Sequence, residues 1–236
     1  MRHHRNTQNA QAPRRRLTVR PAADERLVFV DLEVGKAGRQ RLILQIAAVA
    51  LTRSLVELES FEAKVLSDVL RDAEIRHRRF NRAQWQAEAK HPKVVAYEFG
   101  RFLGRHATVE IAGTSRRRIA VAQLVAHNAE FDGHFLRDWF ERLGLFLPAS
   151  YRVHCTLQRA MWLFHEQRGM TPPSDFKLGT LCRHFGITLP LSEAHDALAD
   201  VRATAELYRR MTLLDAARLA QSVLSAAGSA STNGCG

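Results

Sequence analysis

The first third of the chain shows the hydrophobic patterns that are typical of β-strands. The segments Leu27–Val34 and Arg41–Thr52 are nearly continuous apolar runs, typical of strands that are buried on both faces. Ser54–Val65 alternates apolar and polar positions, as a strand with one exposed face does. Two shorter strands are predicted at Gln123–His127 and Arg152–Cys155. The pattern therefore predicts five strands, the first three in direct succession.

Apolar positions with the helical period lie between and after the later strands. We predict amphipathic helices over Val94–His106, which follows Pro92, and over Ala129–Leu143. The other predicted helices cover residues 67–90, 156–167, 177–186 and 197–213. Three strands, a helix and then alternating strands and helices predict an α/β domain with a mixed sheet.

The composition is that of one globular domain. The chain has 236 residues, 46% of them apolar, which is enough to bury a sizeable core. This excludes an intrinsically disordered chain, a collagen-like repeat and a disulfide scaffold. Three cysteines without a C-x-x-C pair favour reduced thiols and a cytoplasmic location. No apolar run reaches the roughly 18 residues that span a bilayer, so no membrane-spanning segment is expected.

Positive charge is in excess and is concentrated at the start of the chain. The 35 Lys and Arg residues against 24 Asp and Glu give a net charge of +11, which favours polyanionic partners such as nucleic acid or an anionic membrane surface. Residues 1–20 contain six arginines and no acidic residue. We predict a disordered basic arm over 1–22, a folded domain over 23–215, and a helix end with a flexible tail over 216–236. The arm is either a solvated tail or a phosphate-binding segment.

Two acidic residues interrupt the first strand. Asp31 and Glu33 stand in an apolar run, and their i,i+2 spacing puts both side chains on one face, roughly 6–7 Å apart at Cα. Adjacent buried carboxylates repel each other and lose hydration, so they need a compensating cation. Arginine partners would supply one, and Mg²⁺ or Mn²⁺ would do so more completely because these ions prefer oxygen ligands. Alternatively, the strand ends at Val30 and both acids are solvated.

A third carboxylate occupies the apolar side of a predicted helix. The stripe along Ala129–Leu143 consists of Phe135, Leu136, Trp139, Phe140 and Leu143. Asp132 holds the first position of that stripe, which is unusual for a charged side chain. Alternatively, Asp132 is solvated in the first turn, where its charge favours the helix dipole.

A histidine and a fourth carboxylate flank the start of the last predicted helix. Asp196 is predicted to be the N-cap, which places His195 just before the helix and Asp200 just over one turn beyond it. Asp200 shares a small and apolar side of the helix with Ala197 and Leu207. Alternatively, His195 is an ordinary loop histidine.

Three motifs in a fixed order carry a family resemblance. They are V-F-V-D-L-E (Val28–Glu33), H-N-A-E-F-D-G-H-F-L (His127–Leu136) and H-D-A-L-A-D-V (His195–Val201). Over about residues 27–212 the chain resembles the DnaQ-like, or DEDDh, 3′–5′ exonucleases of the ribonuclease H-like superfamily. The resemblance implies an α/β fold, the ribonuclease H-like mixed five-stranded sheet flanked by helices, and identifies the folded domain as an exonuclease domain.

The resemblance also implies a catalytic role for each of five residues. Asp31 would bridge two divalent cations, Mg²⁺ or Mn²⁺, and Glu33 and Asp200 would complete the site of the ion that carries the attacking water. Asp132 would hold the second ion, largely through water. His195 would take the proton of the attacking water. The expected products are nucleoside 5′-monophosphates released from a single-stranded 3′ end.

The substrate-binding positions depart from the family's pattern. The family usually has Thr-Thr-Gly or Met-Thr-Gly after the first motif, whereas this chain has V-G-K at 34–36, and the usual Glu of the second strand is Gln45. By resemblance we expect Leu32, Val34, Gln45 and Asn128 to contact the substrate. Asn128 is also expected to fix the turn before the helix of the second motif.

Single-stranded nucleic acid is the expected partner, with DNA favoured over RNA, and a polymerase or a second copy of the chain are further candidates. The basic runs Arg76–Arg82 and Arg116–Arg118 favour phosphate contacts over a solvated face. Phe131 and Phe135 are expected in the core rather than stacked on bases. Two other functions stay open: a non-catalytic nucleic-acid-binding module that keeps the fold, and a proofreading subunit that works with a polymerase.

Overall fold

A computed structural model describes most of the chain between residues 25 and 232. The described residues are 25–37, 40–66, 85, 87–112, 118–167, 169–188 and 197–232. They contain seven strands and five helices. The expected basic arm, the run Arg76–Arg82, most of the predicted 67–90 helix, His195 and Asp196 lie outside this part of the chain.

The first three strands form an antiparallel meander. They are β1 (Arg26–Ala37), β2 (Gln40–Thr52) and β3 (Glu57–Lys64). β1 is longer than predicted because it stays paired with β2 as far as Ala37 opposite Gln40. The strand therefore continues past both acidic residues, and the alternative in which it ends at Val30 is wrong.

The remaining strands divide between two sheets. β4 (Val109–Ala112) and β5 (Arg118–Val121) pair with each other in a separate two-stranded sheet, whereas β6 (Gln123–Ala126) and β7 (His154–Cys155) join the main sheet. The main sheet has the order β3-β2-β1-β6-β7, with β6 parallel to both of its neighbours. The predicted mixed five-stranded sheet is thus confirmed, and the small hairpin is an addition to it.

Five helices follow the predicted positions closely, except at the end of the chain. They are α1 (Pro92–Arg105), α2 (Ala129–Arg142), α3 (Thr156–Glu166), α4 (Leu178–His184) and α5 (Ala197–Thr232). α5 was expected to end near residue 213 and runs to Thr232, because the added segment is rich in Ala and Leu and contains no proline. None of the described helices is long and apolar enough to cross a bilayer.

Side chains of β1 alternate between two hydrophobic cores, one on each face of the sheet. Val30 and Leu32 belong to the core that is covered by α1 and α2, whereas Phe29 belongs to the core that is covered by α5. Asp31 and Glu33 continue the face of Phe29, since successive residues of a strand point to opposite sides. The sheet therefore has helices on both faces, and the acidic pair lies on the α5 side.

Candidate active site

Three of the four predicted carboxylates come together in the folded chain. One carboxylate oxygen of Asp31, one of Glu33 and one of Asp200 lie within 4.8 Å of one another. Glu33 is buried, with 6% of its surface exposed, and the other two residues are half-buried. Three carboxylates at this separation form an oxygen-rich set that suits a hard divalent cation such as Mg²⁺ or Mn²⁺.

Packing of α5 against the sheet brings Asp200 to β1. Ala197 and Val201 lie one turn apart on this helix, and both are fully buried in the same core as Phe29. Asp200 directly precedes Val201, so it reaches the stretch of β1 beyond Phe29. Burial raises the pKa of the Cys182 thiol to about 11, and the nearby charge of Asp200 adds to this effect.

A β-bulge lies beside Glu33. Glu33 pairs with Gln45, but the next residue, Val34, pairs with Ile43, so Leu44 is an extra residue in β2. Bulges redirect side chains and are common next to active sites. Gln45 is buried here, and its Nε2 donates a 2.6 Å hydrogen bond to Oε1 of Glu62 on β3.

Asp132 lies in the first turn of α2 and is buried, with 3% of its surface exposed. Burial raises its pKa well above 3.8, and the charges of Asp31 and Glu33 raise it further, while hydrogen bonds from the backbone of Leu32 and of Asp132 itself act in the opposite direction. The alternative of a solvated Asp132 is therefore wrong. Asp132 stands outside the cluster of three, yet close enough to sense two of its charges.

The sheet leaves the backbone of Leu32 open to Asp132. β6 pairs with β1 only over Leu27–Phe29, and it ends at Ala126. Beyond Phe29 this side of β1 faces the start of α2 instead of another strand. Ligands of open α/β sheets bind at such crevices, outside the carboxyl ends of the strands. The four carboxylates thus surround the carboxyl-terminal half of β1.

The turn between β6 and α2 is fixed by its backbone conformation and by a contact from Cys155. Asn128 adopts φ 66° and ψ 51°, a left-handed conformation that asparagine tolerates well, and its side chain makes no capping bond to α2. Sγ of Cys155 accepts a 3.4 Å hydrogen bond from the backbone N–H of Ala129. The prediction that Asn128 shapes this turn agrees with its backbone conformation, although the side chain is exposed.

His127 anchors the same turn, a role that is not among the predictions from the sequence. Its Nε2 lies 3.0 Å from the carbonyl oxygen of Phe176, and its Nδ1 lies 3.0 Å from Oγ1 of Thr156. A carbonyl oxygen only accepts, so Nε2 carries the proton. Burial lowers the pKa of His127, which favours the neutral ring. The signal for this role is the histidine that opens the second motif.

Of the other residues that were predicted to contact the substrate, Leu32 and Val34 lie at the hydrophobic core. The side chain of Leu32 is buried in the core on the α1 and α2 side, and Val34 packs partly buried against that core. Both Phe131 and Phe135 line an open cleft beside α2. Phe135 also packs against the same core, as expected, whereas Phe131 is not part of that core. Arg118, the described member of its basic run, donates a 2.8 Å hydrogen bond to Glu110 across the β4–β5 hairpin.

Comparisons with known proteins indicate a family of exonucleases. Residues 28–208 match the family described as RNase_T, exonuclease. The PolC-type DNA polymerase III of Bacillus subtilis (strain 168) is 36% identical over 109 residues, which are 46% of this chain and 7% of that protein. The DNA polymerase III subunit epsilon of Rickettsia felis is 32% identical over 94 residues, which are 40% of this chain and 39% of that protein.

A solved structure shows the same fold. Exonuclease I of E. coli in complex with a dT13 oligonucleotide superposes with a TM-score of 0.60 at 17% identity, over 85% of this chain and 43% of that one.

Proposed function

The chain belongs to the RNase_T exonuclease family, within the ribonuclease H-like superfamily, and on this premise we propose that it is a metal-dependent 3′–5′ exonuclease. Its substrate would be a single-stranded 3′ end, with DNA favoured over RNA, and its products nucleoside 5′-monophosphates. The observation that carries the proposal is the cluster of Asp31, Glu33 and Asp200, whose carboxylate oxygens lie within 4.8 Å of one another.

The carboxylates divide into two groups that suit two cations. Asp31, Glu33 and Asp200 would share one ion, and Asp31 with the separate Asp132 would hold the other. When bound, the two ions supply a nucleophilic water at neutral pH and a sink for the charge that develops on the phosphate. Burial of Glu33 and Asp132 keeps this part of the site dry, which strengthens every charge interaction within it.

His195 is proposed as the general base. It stands two positions before Ala197, the first residue of α5, and Asp200 lies in the first turn of that helix. A neutral imidazole can accept a proton near pH 7–8, so a histidine at this position is suited to take the proton of the attacking water. Protonation of the ring therefore switches off the reaction as the pH falls.

The preference for DNA is proposed from the chain's relatives and its charge. The relatives named above are DNA polymerase III proteins, and the solved neighbour holds a deoxythymidine oligonucleotide. The net charge of +11 favours any nucleic acid. A second candidate is a proofreading role beside a polymerase, which is favoured because the matched segment of the PolC-type relative lies inside a polymerase.

The test is hydrolysis of 5′-labelled single strands by the purified full chain in Mg²⁺ or Mn²⁺. DNA and RNA of equal sequence are compared, with a 3′-phosphate-blocked strand and Asp31→Asn protein as controls. We expect a ladder that shortens from the 3′ end, with nucleoside 5′-monophosphate as product. Early release of the labelled 5′ nucleotide would show the opposite polarity. Binding without hydrolysis in either metal would favour the non-catalytic module.

A further inference from the structure

The last turns of α5 extend beyond the hydrophobic core. Met211 is fully buried, whereas residues 215–225 are all exposed and the helix continues to Thr232. The match to the exonuclease family ends at residue 208. Residues 213–232, called the α5 extension from here on, therefore lie outside the matched domain, and they form a helix about 30 Å long at 1.5 Å per residue.

The α5 extension has one apolar side. With 3.6 residues per turn, seven of its apolar residues fall within about 160° of the helix circumference. They are Leu213, Ala216, Ala217, Leu219, Ala220, Val223 and Leu224. The four large side chains among them have between 60% and 72% of their surface exposed. A helix side this wide and apolar normally packs against other protein, and an exposed patch of this kind marks an interaction site.

The polar side of the extension, and not its apolar side, faces the rest of the chain. Nη2 of Arg159 on α3 donates a 2.8 Å hydrogen bond to Oδ2 of Asp215. Nη1 of Arg218 lies 3.9 Å from Oε2 of Glu166, the last residue of α3. At 3.6 residues per turn, Arg218 lies opposite the middle of the apolar side. The described part of the chain therefore leaves the apolar side uncovered.

Charge allows the apolar sides of two copies to meet. The net charge of +11 lies entirely within residues 1–218, since residues 219–236 contain no charged side chain. The two charged residues of the extension, Asp215 and Arg218, are held by ion pairs with α3. Two apolar sides can therefore pack together without bringing like charges into contact, which would otherwise oppose the association of a strongly basic chain with itself.

A second copy of the chain fits the apolar side because its central row of residues reads the same in both directions. The row consists of Leu213, Ala217, Ala220 and Leu224, at the alternating four- and three-residue spacing of a coiled-coil seam. In an antiparallel pair, Leu213 of each copy meets Leu224 of the other, and Ala217 meets Ala220. Leucine pairs then bury both ends of the contact, while alanine pairs let the helices approach closely at its centre. A contact that uses the same patch on both copies closes as a two-fold dimer.

We propose that the α5 extension is the interface of an antiparallel homodimer, with its two-fold axis between Ala217 and Ala220. The dimer goes beyond the proposed function and does not depend on it. Asp200 lies on the same helix, about 28 Å before the axis at 1.5 Å per residue. The two carboxylate clusters therefore lie towards opposite ends of the helix pair, where dimerisation leaves each of them open.

Sedimentation velocity of the full chain over a range of concentrations tests the interface. We expect the wild-type chain to pass from monomer to dimer as its concentration rises. Leu224→Glu would bury a charge against Leu213 of the second copy and should raise the dimer Kd at least about 100-fold. Ser225→Glu is the matched control, because it adds the same charge at the next residue, on the exposed polar side, and should keep the Kd within about twofold. A wild-type chain that stays monomeric throughout, or equal weakening by both substitutions, would overturn the interface.

Disulfide formation tests the antiparallel direction. In a Cys235→Ser background, the Leu213→Cys and Leu224→Cys proteins are oxidised separately and as a mixture. We expect a cross-linked dimer in the mixture alone, because identical positions lie about 16 Å apart along the antiparallel pair, whereas positions 213 and 224 face each other. Cross-linking of Leu224→Cys with itself, or none in the mixture, would overturn this arrangement. Neither measurement needs hydrolysis, so failure of the exonuclease assay leaves both readouts intact.

Discussion

Asp31 and Asp200 each place a carboxylate oxygen within 4.8 Å of the other, although one stands on a central strand and the other on the last helix. Two negative charges at this distance disfavour the docking of α5 on the sheet. The apolar contacts of Ala197 and Val201 in the core beside Phe29 oppose this repulsion. A bound divalent cation would remove it, so we expect metal binding and the stability of α5 to be linked.

Metal binding is expected to stabilise the protein as well as to activate it. Activity should vanish in EDTA and return with Mg²⁺ or Mn²⁺, and either ion at about 100 times its Kd should add about 2.7 kcal/mol to the free energy of unfolding for each site that it fills. Melting curves and cleavage assays across a metal titration measure both effects. Asp31→Asn should lose both responses. Full cleavage in excess EDTA would contradict the metal-dependent mechanism.

Asp132→Asn should abolish turnover while raising the metal-free stability at neutral pH. The folded-state pKa of Asp132 lies well above 3.8, so ionisation of this carboxyl costs stability as the pH rises from about 3.8 through that raised value. The gain from the asparagine should therefore be absent at low pH and full above the raised pKa. Urea unfolding in EDTA at several pH values measures it. A stability difference that does not change with pH would contradict the burial of this charge.

His195→Ala should act on the chemical step alone. A positioned general base contributes about 10²–10⁴-fold, so kcat should fall by that order while the Kd for single-stranded DNA stays within about twofold. Single-turnover rates and anisotropy separate the two quantities. His165→Ala, at an exposed position of α3, is the matched control. Weaker binding with an unchanged rate would give His195 a different role.

Deletion of residues 1–20 should act on binding and not on chemistry. The deletion removes six arginines, and since we do not expect all six to contact phosphate at once, the slope of log affinity against log salt should fall by about one to three units. The kcat at saturating substrate should be retained. Affinity measured from low to high salt for both proteins tests this. An unchanged slope would identify the arm as a solvated tail.

Gly133→Ala should destabilise the protein through a local clash. A Cβ at this position would lie 2.9 Å from Cγ2 of Val153, a β-branched side chain with little freedom to move. Overpacking of this kind costs about 1–3 kcal/mol. Gly104→Ala is the control, because its Cβ would meet nothing within 4 Å and alanine favours a helix. Equal stability of the two variants in urea would show that Val153 yields easily.

The short hairpin and the end of the chain show where local pattern is insufficient. β4 and β5 have four residues each, too few to give a clear period, and their pairing across residues 113–117 depends on contacts of Val109 with Val121. The sequence predicts a helix end and a flexible tail over 216–236, and the helix continues further than this, to Thr232, because the small and polar residues of this segment are equally common in helices and in frayed tails. Both errors concern elements that contribute little to the main core.

The sequence by itself determined the two central strands, the shared face of Asp31 and Glu33, and the order of the motifs, because each depends on the spacing of neighbouring residues. Tertiary structure decided the rest, namely the approach of Asp200 to β1 and the burial of Asp132 against Leu32. These depend on where β6 ends and how α2 and α5 pack on the sheet. Such contacts join residues that are far apart in the chain, and no local period records them.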